Sequence, residues 1–229
     1  MPLPRKSYRA RGGWLAITGL LLLGLLPVVG GVLRLGDLST DPASATSPAL
    51  AVAIVAHIVA MSVFCLVGAF QFSPLLRQRS GWHRASGEWL IPIGFIAALS
   101  SVPIGVFFGG PDDELALALI RVVFAAAMTV FLVRAVIAIS SRDFTAHGAE
   151  MTRAYAIAVS GGTQALVVAL WTIPVGDVDV AVETWLVAAG FMINSAVAEL
   201  LIRRRVRRGS GRAPRRGSRP SLQQSRPPR

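Results

Sequence analysis

Residues 49–70 read ALAVAIVAHIVAMSVFCLVGAF, a stretch with no charged side chain and a single histidine, His57. The hydrocarbon core of a bilayer is about 30 Å thick, and a helix needs roughly 20 apolar residues to cross it. Strands of a membrane barrel alternate apolar and polar residues, whereas this stretch is apolar almost throughout. It therefore predicts a transmembrane α-helix.

Similar apolar stretches recur along the chain. They cover Trp14–Leu33, Trp89–Phe108, Leu115–Ile139, Ala154–Pro174 and Thr184–Ile202. Of the 229 residues, 53% are hydrophobic and only 15% are charged, which is too little charge for the surface of a soluble domain. We predict an all-α polytopic integral membrane protein, with a bundle of six transmembrane helices over residues 14–202. A single cysteine excludes a disulfide framework and a cysteine zinc site.

Basic residues mark one side of this bundle. They are concentrated in 1–13, 71–88, 140–153 and 203–229, whereas the segments 34–48, 109–114 and 174–183 are mainly acidic. Because Lys and Arg are enriched in cytoplasmic loops, six helices with both termini in the cytoplasm satisfy every loop. We therefore expect a multi-pass protein of the cell (plasma) membrane. The alternative is a signal peptide cleaved near residues 43–45, but the apolar run of the first helix is longer than a signal core.

The two ends differ in composition from the membrane domain. Residues 1–13 are predicted to form a basic cytoplasmic N-terminus, and residues 203–229 a disordered Arg-rich cytoplasmic tail. Beside the lipid bilayer itself, anionic lipid headgroups are the partner that suits the arginines of this tail. The net charge of +11 does not indicate specific nucleic-acid binding, because the basic residues flank an apolar middle. The oligomeric state stays open.

Three histidines are candidates for a functional site, because burying an ionisable side chain in a membrane is unfavourable without a partner. His57 lies in the outer half of the second helix, whereas His83 and His147 are predicted in the inner loops before the third and fifth helices. Two histidines that bind one haem iron must lie at one depth. His83 and His147 are therefore the predicted pair, as ligands of a haem b iron or as contacts of a quinone.

Two arginines extend this pair at the inner side. Arg84 and Arg153 are candidates for binding haem propionates, because a guanidinium group pairs with a carboxylate through two hydrogen bonds. Glu199 near the inner end of the sixth helix is a second potential partner, for Arg153 or for Arg134.

Further polar candidates follow from helical spacing. His57 and Gln71 lie about 40° apart around the axis of the second helix, and so on the same face. If residues 147–155 are helical, Met151 lies one turn after His147, and Tyr155 follows near the membrane entrance. Such residues line either a helix interface or a cavity wall.

Four motifs occur in a fixed order, namely His57, GAFQF at 68–72, HRASG at 83–87 and HGAEMTRAYA at 147–156. This order resembles the bacterial predicted membrane proteins grouped as DUF2306, in which a helix His precedes G-x-x-Q-F, H-R-x-x-G and H-x-x-W-M-x-R-x-Y-A. The chain departs from that pattern at Glu150, where the family usually has Trp, at Trp89, where a Tyr often occurs, and at Gln164, where an Arg often occurs. The resemblance implies a multi-helix membrane protein and leaves its activity open.

Three functions remain as hypotheses. The first is a structural or accessory membrane factor, in which His57 bonds a neighbouring helix, His147 caps a helix and His83 is an interfacial residue; isolated motifs are seldom catalytic. The second is electron transfer through haem b or a quinone held by His83 and His147. The third is small-solute transport along His57 and Gln71. The sequence does not decide whether the protein is an enzyme.

Overall fold

The structure is a computed structural model, and it describes residues 5–41, 47–73, 76, 80–107 and 115–210. Within these ranges the regular secondary structure is α-helical, which confirms the predicted fold class. The helices are α1 (Arg5–Thr40), α2 (Pro48–Phe70), α3 (Ser80–Phe107), α4 (Leu115–Ser140), α5 (Phe144–Ala158), α6 (Ser160–Val175) and α7 (Val180–Ser210).

In the described part of the chain, six spans are long and apolar enough to cross a membrane, as the sequence predicts. The fifth span along the chain, 144–175, consists of two helices, α5 and α6, which are separated at Val159. Each of the other five spans is a single helix. The chain crosses the bundle with each span. One end of the bundle therefore holds the start of α1, the α2–α3 and α4–α5 connections and the end of α7. We call this the basic end.

Helices at the basic end are longer than the apolar stretches indicate. His83 and His147 lie inside α3 and α5, so their predicted placement in loops is wrong. Apolar residues mark the part of a helix that contacts hydrocarbon, whereas polar helix formers continue the same helix beyond it. For the same reason α7 continues to Ser210, past the predicted start of the tail at residue 203. The rest of that tail, 211–229, and the alternative cleavage region at 43–45 lie outside the described residues.

The fifth span occupies the centre of the bundle. Its α5 half packs against α2, α4 and α7, while its α6 half packs against α1 and α7. The most apolar part of this span is 39% buried, against 11% for the first span at the edge. The main core lies around α5, where Tyr155 and Ala154 meet Phe64 of α2 and Leu132 of α4. This arrangement places side chains of α5 next to three other spans.

Candidate functional site

A cleft of about 780 Å³ opens at the basic end, between the beginning of α3 and the beginning of α5. Its polar lining residues are Gln71, His83, Arg84, Glu88, His147 and Thr152. Its apolar walls are formed by Phe72, Leu90, Ile91, Ile139, Phe144 and Met151. The size and the mainly apolar lining with a few convergent polar groups are typical of a small-molecule site. Both histidines predicted to act together therefore line one cavity.

His147 is held by the α4–α5 turn. The side chain of Asp143 accepts hydrogen bonds from the backbone N–H groups of Thr145 and Ala146, so the cap of α5 is Asp143 rather than His147. The Nδ1 atom of His147 lies 2.9 Å from the backbone carbonyl oxygen of Ala135 in α4. A carbonyl oxygen can only accept, so Nδ1 carries the proton. Nε2 is then the nitrogen with a lone pair.

The opposite wall of the cleft is positioned by a short hydrogen-bond chain. The side-chain nitrogen of Gln71, just after α2, donates to the hydroxyl of Ser86 at 2.6 Å. That hydroxyl donates to the carbonyl oxygen of Trp82 at 2.5 Å. The chain ties the end of α2 to the first turns of α3, which carry His83. Gln71 thus supports the wall of the cleft that carries His83.

Arg84 marks the mouth of the cleft. Its Nε donates to a carboxylate oxygen of Glu88 at 2.8 Å, one turn along α3. Both side chains are largely exposed, which leaves the guanidinium accessible to a ligand carboxylate. Met151 lies on the wall across from α3, one turn after His147, as the helical spacing predicts.

Arg153 takes part in a different arrangement, an ion cluster around the buried Glu150 that links α4, α5 and α7. Its Nε lies 2.5 Å from Glu199, and its Nη1 lies 3.1 Å from Glu150. Glu150 also accepts from Arg134 at 3.1 Å. The predicted pairing of Glu199 with Arg153 is confirmed. Arg153 is absent from the lining residues of the cleft, and two protein carboxylates already engage its guanidinium.

Tyr155 belongs to the core of the bundle. Its hydroxyl donates to the carbonyl oxygen of Cys65 at 2.7 Å, and its ring lies 4.9 Å from that of Phe72. Gly68 makes this contact possible, because a Cβ at that position would lie only 2.7 Å from the tyrosine ring. Tyr155 therefore joins α5 to α2 behind the cleft.

A family comparison agrees with this architecture. The model of a family described as a predicted membrane protein, DUF2306, matches residues 54–202. The chain belongs to this family. No curated protein and no solved structure matches it. DUF2306 membership confirms the resemblance noted from the motifs and the multi-pass membrane class. Any more specific function has to be argued from the site itself.

Glu150 is a residue of this DUF2306 chain that was not predicted to belong to a site. Its carboxylate is buried at the centre of the ion cluster, with 5% of its side chain exposed. One signal was available, since Glu150 and Arg153 are three residues apart on one helix face. An acidic residue in a membrane span requires a partner, and this spacing supplies one.

His57 lies away from the cleft. Its Nδ1 lies 2.9 Å from the carbonyl oxygen of Ala97, which joins α2 to α3 by the interhelical hydrogen bond proposed as its structural role. On the side of α1, His57 lines a small cavity of about 80 Å³.

Replacing Tyr155 with phenylalanine should lower the free energy of unfolding by about 1 kcal/mol, because one interhelical hydrogen bond is lost while the ring packing remains. Thermal unfolding in detergent, followed by tryptophan fluorescence, measures the change. Gly68→Ala should shift the midpoint further, since its Cβ would displace the ring. A Tyr155→Phe midpoint below that of Gly68→Ala would contradict this assignment.

Proposed function

We propose that this DUF2306 protein holds haem b in the cleft between α3 and α5 and acts in membrane electron transfer. The iron ligands are Nε2 of His147 and the imidazole of His83. The observation that carries the proposal is the shared cleft, which places both histidines around one volume of ligand size. We further propose that the basic end faces the cytoplasm at the plasma membrane, since basic residues favour that side.

The orientation of His147 favours a metal over a quinone. Histidines that bind metals almost always donate their other ring N–H to a carboxylate or a backbone carbonyl, which fixes the tautomer. The bond from His147 Nδ1 to Ala135 is of this kind. A quinone head group offers carbonyl oxygens, which need a donor, whereas Nε2 of this tautomer is an acceptor.

The remaining ligands of the iron come from the macrocycle. Among the described residues there is no group of three or more His, Cys, Asp and Glu that could hold a metal ion. Two histidines on opposite walls therefore suit a metal that arrives with four ligands of its own. A haem iron bound by protein side chains transfers single electrons.

The other lining residues have distinct roles in this proposal. Arg84 pairs with a propionate at the mouth of the cleft. This contact replaces its exposed ion pair with Glu88. Phe72, Leu90 and Ile139 exclude water from the faces of the ring. Arg153, which sequence reasoning also considered for a propionate, instead anchors α5 and thereby the position of His147.

The visible spectrum of the purified protein tests the proposal. After expression with ample haem, the wild type should show a Soret band, with a sharpened α band after dithionite reduction. His147→Ala should lose or strongly shift the band, because its Nε2 is a ligand. His57→Gln is the matched control, since it changes a histidine outside the cleft and should keep the wild-type spectrum.

Two results would overturn the haem assignment. One is a wild-type protein without a Soret band despite a monodisperse folded state. The other is a band that survives both His83→Ala and His147→Ala with unchanged position, which would place the haem elsewhere.

A structural or accessory membrane factor is the second candidate. The ion cluster favours it, because Arg134, Glu150, Arg153 and Glu199 tie three spans together without any cofactor. On this candidate the protein keeps its function in His83→Ala and His147→Ala variants but not in variants of the ion cluster.

A further inference from the structure

A second cavity lies between α1 and α2, separate from the cleft. Its volume is about 80 Å³, enough for an ion with a water molecule and too small for an organic ligand. It is lined by Gly24, Pro27, Val28, His57, Met61 and Cys65, among others. An imidazole, a thioether and a thiol thus line one small cavity between two membrane spans.

The three potential ligands follow each other along α2. His57, Met61 and Cys65 are separated by four residues each, so all three lie along one stripe of the helix. The axial rise between neighbours in this set is about 6 Å, which places adjacent side chains within reach of one ion. The rise from His57 to Cys65 is about 12 Å, so these two side chains are too distant to bind the same ion directly.

His57 has a defined free nitrogen. Its Nδ1 donates to the carbonyl oxygen of Ala97 on α3. The two nitrogens of an imidazole point in widely divergent directions, so Nε2 is directed away from α3. The cavity lies on the side of α1 and has His57 in its lining. Nε2 is then the nitrogen with a lone pair, on a ring oriented by a backbone carbonyl as metal-binding histidines commonly are.

The chemistry of the lining selects the class of ion. Thioether and thiolate ligands favour soft ions such as Cu(I), whereas Mg²⁺ and Ca²⁺ require oxygen ligands. No Asp or Glu is among the residues that line this cavity. A singly charged ion also needs less compensation in an apolar environment than a divalent one. Each of these features favours a soft monovalent cation.

We propose that this cavity binds a soft monovalent cation of the Cu(I) class between Nε2 of His57 and the sulfur of Met61. Cys65, one turn further along α2, provides a second soft position that shares Met61 with the first. The site uses no residue of the haem cleft, so either proposal can fail without the other. Its ligands come from α2, and Gly24, Pro27 and Val28 of α1 form the other wall of the cavity.

Silver(I) is the appropriate probe, because it has the same closed d10 shell and ligand preference and does not cycle between oxidation states. The full-length protein in detergent is titrated with Ag(I) by equilibrium dialysis and metal analysis. The wild type should bind Ag(I) with a defined stoichiometry. Met61→Leu should weaken that binding by about ten-fold or more, because loss of an outer-shell partner alone typically weakens metal binding by at least that factor. His57→Gln should weaken it similarly while keeping a donor for Ala97.

Met128→Leu is the matched control, since it makes the same substitution at a buried methionine of α4, outside the cavity. Leucine is close to methionine in volume, so both variants should fold. The proposal is overturned if the wild type binds no Ag(I), or if Met128→Leu weakens binding as much as Met61→Leu. It is also overturned if only Cys65→Ala removes binding, because Ag(I) would then report a lone thiol.

Discussion

Replacing Arg153 with alanine should lower the free energy of unfolding by about 3 kcal/mol or more, because it leaves a buried carboxylate short of its charge partner. Only 5% of the Glu150 side chain is exposed. Its other partner is Arg134, whose side chain is 62% exposed. The same variant also separates α5 from Glu199 on α7 and removes the guanidinium from the ring of Phe131, 5.9 Å away. Two contacts between spans and one ion pair within α5 are lost together.

The exposed pair at the mouth of the cleft provides the control for this prediction. Arg84 and Glu88 are also an arginine and a glutamate at helical spacing, but 84% and 63% of their side chains are exposed. Exposed pairs contribute little, so Arg84→Ala should leave the unfolding midpoint in detergent unchanged. Equal shifts for the two variants would show that the buried carboxylate of Glu150 has no special role.

A double variant separates charge from packing. Arg153→Met with Glu150→Leu removes the buried carboxylate together with its partner and keeps most of the side-chain volume. Such replacements of buried ion pairs are often neutral or stabilising. The double variant should therefore be more stable than Arg153→Ala. If it is less stable, the cluster stabilises the protein mainly through the hydrogen bonds of its carboxylates, and the charge argument is wrong.

The transmembrane spans could be predicted because the bilayer imposes their composition directly. Every residue in the hydrocarbon region contacts lipid or another helix. A long apolar stretch such as 49–70 therefore indicates one structure, a transmembrane helix. The ends of the helices obey no such constraint. Ser80 and Phe144 begin helices within polar sequence. The caps and turns that start them depend on local hydrogen bonds, such as those of Asp143.

The candidate site could be predicted only in part, because depth in the membrane says nothing about which helices are neighbours. Depth grouped His83 with His147, and both residues line the cleft. It also grouped Arg153 with them, but that side chain faces Glu199 on α7. The neighbours of α5 follow from the packing of the whole bundle, in which glycines such as Gly162 decide how closely two helices approach.

The contact of α1 with the fifth span depends on that glycine and on a proline. Pro27 lies inside α1 and has no N–H group, so the carbonyl oxygen of Leu23, four residues earlier, lacks its usual helical donor. The backbone of Gly162, near the start of α6, packs directly against this oxygen. Glycine permits a Cα–H group to approach a carbonyl oxygen this closely, a contact that recurs where membrane helices meet.

Gly162→Ala should therefore detach α1 from α6. The new Cβ would overlap the carbonyl group of Leu23, and a backbone group cannot rotate away as a side chain can. Overpacking of a buried contact usually costs about 1–3 kcal/mol, and the rigid neighbour places this variant at the upper end. A lower unfolding midpoint and faster proteolysis at the α1–α2 connection are the expected observations.

Gly161→Ala is a control at the adjacent residue. A Cβ at Gly161 would lie 3.4 Å from the ring of Pro27, an ordinary contact that needs no movement. Since alanine favours a helix over glycine by about 1 kcal/mol, this variant should be as stable as the wild type or more stable. The two substitutions add the same methyl group one residue apart, so opposite shifts of the midpoint would locate the effect at the Leu23 carbonyl. Parallel shifts would mean that α1 is not held at this position.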